Sequence, residues 1–210
     1  MNQNKKTLLH KHWLKLLVLV IAVSIILSSL FFLNIGIVNA EWNAHSSIEG
    51  FQINNATGEL KETLYIYVDN SSLYAEEIRS ILLEKLASYN TETKQLIDFN
   101  ETKEMTNASF VGIHITQDTQ DYYPWSATNK YTVFYYFSDI GNTNYYLGFK
   151  TAESMYDNPP VIFNGSDGDQ LLDIGDITVE GLFSGMFSKP RMEEMTIDYI
   201  ANEIVKQVKQ

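Results

Sequence analysis

The sequence predicts an α+β domain, in which a mixed sheet of four to five strands carries two amphipathic helices on one face as a two-layer sandwich, preceded by one hydrophobic helix. Three observations predict it: one charge-free apolar run near the N-terminus, several β-rich runs beyond it, and two segments with apolar residues at helical spacing. We expect three regions: residues 1–40 as signal peptide or anchor, 41–61 as a linker or irregular lead-in, and 62–210 as one domain.

The N-terminal run from Leu16 to Leu33 contains no charged residue and is long enough to span hydrocarbon. Four lysines and no acidic residue precede it, a pattern that keeps the N-terminus inside and sends the following chain out. Val38-Asn39-Ala40 has small residues at the positions that a signal peptidase reads. The sequence therefore predicts either a single-pass anchor or a secreted domain released after Ala40.

The chain carries 15 basic and 26 acidic residues, and the four N-terminal lysines leave only eleven basic residues for the part beyond residue 40. Such an acidic surface repels nucleic acid and anionic lipid, which makes both improbable partners. The absence of cysteine excludes disulfides, thiolate metal sites and thiol nucleophiles. These features are typical of an extracytoplasmic, cell-surface domain, whose expected partners are the membrane and a protein or envelope glycan.

The best-defined local pattern is a strand followed by a helix. Residues 63–68 predict an interior strand, and Asp69-Asn70-Ser71-Ser72 offers turn and N-cap chemistry for a helix over 73–89. The inward face of this helix is Ala75, Ile78, Leu82, Leu86 and Tyr89, which leaves Arg79 elsewhere.

Later segments vary in clarity. We expect a second strand at 110–116, parallel to the first, then a long connection over 117–130 and a hairpin whose strands are 131–138 and 145–150. A short edge strand is expected at 161–163, whereas the state of 177–183 stays open. Pro190 starts a C-terminal helix with its inward face at Ile197, Ile200, Ala201, Ile204 and Val208.

The aromatic segment Tyr122-Tyr123-Pro124-Trp125 is the favoured ligand-binding candidate, because flat amphipathic rings on a loop stack against sugars or partner surfaces. The alternative is that these rings fold back on the sheet. Asp69 and Asn70 are a second candidate, since they lie where a strand ends ahead of a helix. Capping competes with ligand binding at that position.

Other chemistry is weakly indicated. Asp167, Asp169 and Asp173 concentrate carboxylates that could attract calcium, although the spacing departs from the twelve-residue calcium loop, and no other cofactor is expected. The domain has two histidines, and His114 lies out of phase with the apolar face of its strand. Glycosylation sequons suggest a glycoprotein and begin at Asn55, Asn70, Asn100, Asn107 and Asn164.

No serine or histidine motif predicts a catalytic residue, so enzymatic activity is not indicated. We expect a non-catalytic binding module at the cell surface. A glycan-binding module that uses exposed Tyr123 and Trp125 is one alternative. A carboxylate-dependent hydrolase is the other, and it requires two close carboxylates in a cleft with one raised pKa.

Overall fold

The computed structural model describes residues 3–32, 36–53, 56, 58–87, 92–104, 107–150 and 169–208. These residues form one six-stranded mixed sheet, four helices and a short 3₁₀ helix at Phe99–Glu104. In chain order the elements are α1 (Gln3–Phe32), β1 (Ile37–Ile53), β2 (Thr63–Val68), α2 (Ala75–Leu86), β3 (Glu92–Leu96), β4 (Ser109–Tyr123), β5 (Ser126–Ser138), α3 (Tyr146–Lys150), β6 (Gln170–Met186) and α4 (Lys189–Val208).

The sheet has the strand order β1-β6-β5-β4-β2-β3. β2 pairs in parallel with β3 and β4, while β4, β5, β6 and β1 pair antiparallel. The predicted α+β class, the mixed sheet and the parallel pairing of the first two predicted strands are confirmed. The strand count is six, slightly more than expected.

The apolar part of the N-terminal helix α1 is exposed over most of its length between His12 and Ser29. Its segment His12–Ser29 has a mean hydropathy of 2.0 and no part of it is buried against the rest of the chain. A helix of this length and composition is compatible with a membrane anchor or a signal sequence. The predicted N-terminal hydrophobic helix is therefore confirmed as a helix.

Both amphipathic helices pack on one face of the sheet, where they cover the main core. Ile78, Leu82 and Leu86 of α2 contact the same apolar cluster as the inward residues of α4. The predicted inward face of α4 is confirmed, since all five of its residues are buried. For α2, Ala75 is only partly buried, and Tyr89 lies outside the described residues.

A smaller aromatic core lies on the opposite face. Tyr146 of α3 is fully buried there among aromatic side chains of β2, β4 and β5. A Cβ added at Gly112 of β4 would lie 2.5 Å from the Tyr146 ring, so glycine provides the space that the ring fills. The strand predicted at 145–150 is thus wrong, because these aromatic residues pack as one helical turn; residues 139–144 lead into that turn and do not close a hairpin.

Residues 41–61 are not an irregular lead-in over their first part. β1 runs to Ile53 and pairs with β6 along its whole length, from Ile37 opposite Met186 to Ile53 opposite Gln170. Its side chains alternate between exposed and half-buried, the pattern of an edge strand with one face on the core. The backbone hydrogen bonds to β6 hold this polar segment in the sheet.

The connection predicted over 117–130 is also wrong. β4 and β5 form a long hairpin that turns at Pro124 and Trp125, where the missing N–H of proline costs no ladder hydrogen bond. The segment at 177–183, whose state the sequence left open, belongs to β6. The edge strand expected at 161–163 lies outside the described residues.

The N-terminus of α2 differs from the predicted cap. The cap residue is Tyr74, in the left-handed region with φ 56°, and it makes no side-chain capping bond. Asp69 instead accepts hydrogen bonds from the backbone and hydroxyl of Ser71, at 2.8 and 2.6 Å. The Asp69 to Ser72 segment therefore forms a turn that precedes the helix by several residues.

Candidate functional site

One candidate site is a cavity of about 390 Å³ between the sheet and the C-terminal end of α4. Its volume lies in the range of small-molecule pockets. Residues from four separate elements and the segment after β1 meet here, which is why no local pattern predicts it. Its lining includes Ser46, Ile48, Tyr135, Phe137, Asp173 and Gln207.

Asp173 and Tyr135 give the cavity its polar character. Burial and then the negative charge of Asp139 raise the pKa of the Asp173 carboxyl. Tyr135 is fully buried, and its hydroxyl has no hydrogen-bond partner among the described residues. Burial and the charge of Asp173 raise the pKa of Tyr135 well above its ordinary value. A tyrosine hydroxyl of this kind is a neutral donor, and it suits a ligand that offers an acceptor.

The second carboxylate near the cavity is not free for chemistry. Asp139 is buried, and one of its oxygens accepts a hydrogen bond from the Leu171 backbone at 2.7 Å. The negative charge of Asp139 contributes to the raised pKa of Asp173. A carboxyl with a raised pKa near a second carboxyl is one condition of the hydrolase hypothesis. The Asp139 side chain, however, holds the start of β6 in place, which is a structural role.

The polar cluster at the end of β2 gathers the other predicted candidates. Asp69 forms an ion pair with Lys150 of α3. The Ser72 hydroxyl accepts a hydrogen bond from the Ile115 backbone at 3.1 Å and lies 3.3 Å from Nδ1 of His114. Burial and then the Lys150 charge lower the pKa of His114, partly offset by Asp69. Asp69 and Ser72 are therefore both engaged by partners within the cluster.

Asn70 and Arg79 close the same cluster from the other side. Arg79 is buried, against the prediction, and donates to the Val68 carbonyl and to Oδ1 of Asn70, both at 2.9 Å. The Asn70 amide nitrogen donates to the Ile97 carbonyl at 3.0 Å. Asp69 and Asn70 therefore join β2, α2, α3 and the segment after β3, and their groups are committed to the fold.

The aromatic segment is divided by the hairpin. Tyr122 points to the helical side, where its hydroxyl donates to the Phe187 carbonyl at 2.8 Å. Tyr123 and Trp125 lie on the outside, 56% and 66% exposed, with ring centroids 6.0 Å apart and planes 24° apart. Exposure of these two rings is what a ligand-binding role requires. Tyr122 is instead one of the rings that fold back.

The acidic residues that suggested calcium do not come together. Asp169 is exposed, Asp173 lies in the cavity, and Asp167 falls outside the described residues. Within the described part of the chain, no three histidine or acidic side chains are grouped as metal ligands would be. Calcium binding stays a prediction from sequence.

Three of the five sequon asparagines, Asn70, Asn100 and Asn107, are described and exposed. Asn55 and Asn164 lie outside the described residues. The Asn70 side chain is held by two hydrogen bonds, so a glycan there would compete with its bond to Ile97. Glycosylation at any of them stays a prediction.

Comparison with known proteins gives little. No protein family model and no curated protein matches the chain. Among solved structures, the chain is similar to PelC, seen as a dodecamer, from Paraburkholderia phytofirmans, at 9% identity and a TM-score of 0.34, over 78% of this chain and 94% of that one. No functional argument rests on so distant a likeness.

Proposed function

We propose that this protein is a membrane-anchored, extracytoplasmic binding module without catalytic activity. The observation that carries the proposal is the short separation of α1 and the sheet along the chain: α1 ends at Phe32 and β1 begins at Ile37. A strand that starts so soon after an apolar helix holds the domain beside the membrane. The chain spans no more than about 18 Å between these two residues.

The orientation follows from the charges around α1. Lys5, Lys6, Lys11 and Lys15 precede the apolar segment, whereas the first acidic residue of the chain is Glu41, within β1. Basic residues flanking a membrane helix stay on the cytoplasmic side. The acidic domain then lies outside the cell membrane.

Retention of the helix is supported by the residues around the possible cleavage site. Val38 and Ala40 pack against a small core that includes Phe183 and Phe187, and Ile37 to Ala40 pair with Met186 to Phe183. Cleavage after Ala40 would remove four paired residues from β1. These four residues pair with β6 in the folded domain, and this favours an anchored protein over a secreted product.

The binding role rests on the cavity. Asp173, Gln207 and the Tyr135 hydroxyl offer an acceptor, an amide and a donor around about 390 Å³, which suits a small polar molecule. Asp139 is engaged by the Leu171 backbone, and this favours binding over carboxylate-assisted hydrolysis. A hydrolase that uses Asp173 is the second candidate, because the raised pKa of that carboxyl is what a general acid requires.

Membrane topology is tested by thiol labelling. Because the chain has no cysteine, a single introduced cysteine is the only thiol that can react. Cells producing the full chain with Glu49→Cys, or with Asn4→Cys as the matched control, are treated with a membrane-impermeant maleimide. We expect labelling of the Glu49→Cys protein in intact cells and of the Asn4→Cys protein only after lysis. The opposite pattern would contradict the proposed orientation.

The binding role is tested by thermal unfolding of the full chain in detergent against a panel of small polar molecules. A true ligand raises the melting temperature of the parent and loses this effect in Gln207→Leu, while Asn100→Gln, on the distant 3₁₀ helix, keeps it. If the parent converts the ligand and Asp173→Asn does not, the protein is a hydrolase and the non-catalytic proposal fails.

A further inference from the structure

One corner of the domain contains most of the exposed large hydrophobic side chains that the structure describes beyond α1. Among the described residues beyond α1, eight large hydrophobic side chains are exposed, and five of them lie at the end of the sheet where α1 joins β1. These five define the apolar corner, which consists of Ile37, Tyr123, Trp125, Leu182 and Met186. Ile37 is 85% exposed, the largest fraction of the eight.

Strand register places these side chains together. Ile37 pairs with Met186, and the Gly185 backbone donates a hydrogen bond to the Trp125 carbonyl at 3.2 Å. Opposite residues in antiparallel strands share a face. Tyr123, Ser126, Ser184 and Asn39 thus form one row across four strands, next to the Ile37 and Met186 row.

On the outer face of the sheet, charged residues first appear two rows beyond Ile37. The third row across the sheet contains Glu41, Leu182, Thr128 and Asp121, so the first carboxylates lie about 14 Å from the Ile37 row. Lys189 and Arg191 begin α4 at the same end, and each forms an ion pair with a glutamate one turn on. The outer sheet face is therefore free of charged residues over the two rows nearest α1, and its first carboxylates lie in the row that contains Leu182.

We propose that the apolar corner inserts into the interfacial region of the bilayer that holds α1. This insertion would set the orientation of the domain relative to the membrane plane. Ile37 follows Phe32 by five residues, which keeps Ile37, the first residue of the corner, within about 18 Å of the end of the helix. Tyrosine and tryptophan prefer the boundary between headgroups and acyl chains. This inference rests on the proposed membrane anchor.

The nature of the lipid follows from the charge. A strongly acidic domain gains nothing from anionic headgroups, so the contact relies on ring and aliphatic burial and should form on zwitterionic phosphatidylcholine. A sugar ligand would use the same two exposed rings, but it would leave Ile37 and Met186 without a role. The apolar corner as a whole fits a lipid surface better.

The test uses the full chain in phosphatidylcholine nanodiscs. In the Trp13→Phe, Trp42→Phe protein, Trp125 is the last of three tryptophans. We expect brominated phosphatidylcholine to quench the Trp125 emission and iodide to have little access to the ring. We also expect this emission to lie at a shorter wavelength than in the unfolded chain without detergent. The matched control adds Trp125→Phe and Glu49→Trp, which moves the reporter about 40 Å along β1, where iodide should quench it and brominated lipid should not.

The outcomes separate the two proposals. If the chain enters nanodiscs but iodide quenches Trp125 as strongly as the control reporter, the corner inference is overturned and the anchor stands. Protection of an iodide-accessible Trp125 only on addition of an oligosaccharide would also overturn it, in favour of glycan binding. If the chain does not remain in nanodiscs, the anchor itself fails.

Discussion

Trp42 of β1 stacks on Tyr199 of α4, with ring centroids 4.4 Å apart and planes 7° apart. The same indole meets the Phe183 ring edge-on at 5.1 Å. A residue ten positions beyond the apolar helix thus lies in the contact between the sheet and its C-terminal helix. Trp42 belongs to the same continuous strand as Ile37, so the strand that follows the apolar helix α1 contributes directly to the packing between the sheet and α4.

Trp42→Ala should therefore destabilise the domain. A fully buried tryptophan costs about 3–5 kcal/mol when truncated to alanine, and for the half-buried Trp42 we expect about 2 kcal/mol. Trp42→Phe keeps a ring against Tyr199 and should cost less. Chemical unfolding followed by circular dichroism measures both. Equal stability of Trp42→Ala and the parent would show that β1 does not support the core.

Arg79→Met should destabilise through an unpaired carbonyl. The guanidinium donates to the Val68 carbonyl at the end of β2, and losing that bond in a buried position costs about 1–3 kcal/mol. Glu76→Gln is the matched control, because that carboxylate is exposed and its ion pair with Arg79 is worth less than about 1 kcal/mol. If both variants unfold at the same denaturant concentration, the buried bond to Val68 contributes nothing.

Asp69→Asn should change the acid dependence of stability. Burial alone would raise the pKa of Asp69, but hydrogen bonds from Lys150 and Ser71 outweigh it, and the net pKa lies below the ordinary 3.8. A lowered pKa in the folded state stabilises the fold above pH 3.8, and this contribution disappears as the pH falls through the folded value. The variant should be less stable than the parent at neutral pH, with a difference that shrinks in acid.

The control for that measurement is Asp121→Asn, which removes an exposed carboxylate from β4. Its unfolding free energy should follow that of the parent across the pH range. An Asp69→Asn difference that stays constant from neutral pH into acid would contradict the account of the Lys150 ion pair.

Asp173→Asn should have the opposite sign. Burial and Asp139 raise the pKa of Asp173, so the folded state favours the neutral acid. Its contribution to stability is complete below pH 3.8 and is lost as the pH rises through the folded value. Asparagine should increase the unfolding free energy at neutral pH and have little effect in acid. A loss of stability at neutral pH would mean that the ionised carboxylate has a partner in the fold.

The parts of the fold that the sequence predicts are those with strong local periodicity. The apolar spacing of Ile78, Leu82 and Leu86, and that of α4, places both helices correctly, because one buried face is encoded within each segment. The alternation over 63–68 likewise predicts β2. These elements need no information from distant residues.

The missed elements depend on distant partners. β1 is polar and half-exposed, and its regularity comes from pairing with β6, more than a hundred residues later. Tyr145 to Lys150 has the composition of a strand, but Tyr146 packs over Gly112 and requires a helical turn. Pro124 suggested an irregular connection and instead marks the hairpin tip.

The candidate site also depends on residues that are distant in the sequence. The sequence predicts Asp173 as a possible metal ligand, but its cavity neighbours Tyr135 and Gln207 come from elements whose proximity no sequence spacing predicts. Asp69 and Asn70 were correctly placed at the end of a strand. Their ion pair with Lys150 and their bonds to Arg79 could not be inferred, because the sequence assigned Lys150 to a strand and left Arg79 outside the core.

The most direct test of the account is the intact mass of the protein from the membrane and soluble fractions of its native cells. We predict a chain that retains residues 1–40 and is found in the membrane fraction, with any glycan visible as added mass. A soluble product that begins at Glu41 would contradict the anchor and, with it, the placement of the domain against the bilayer.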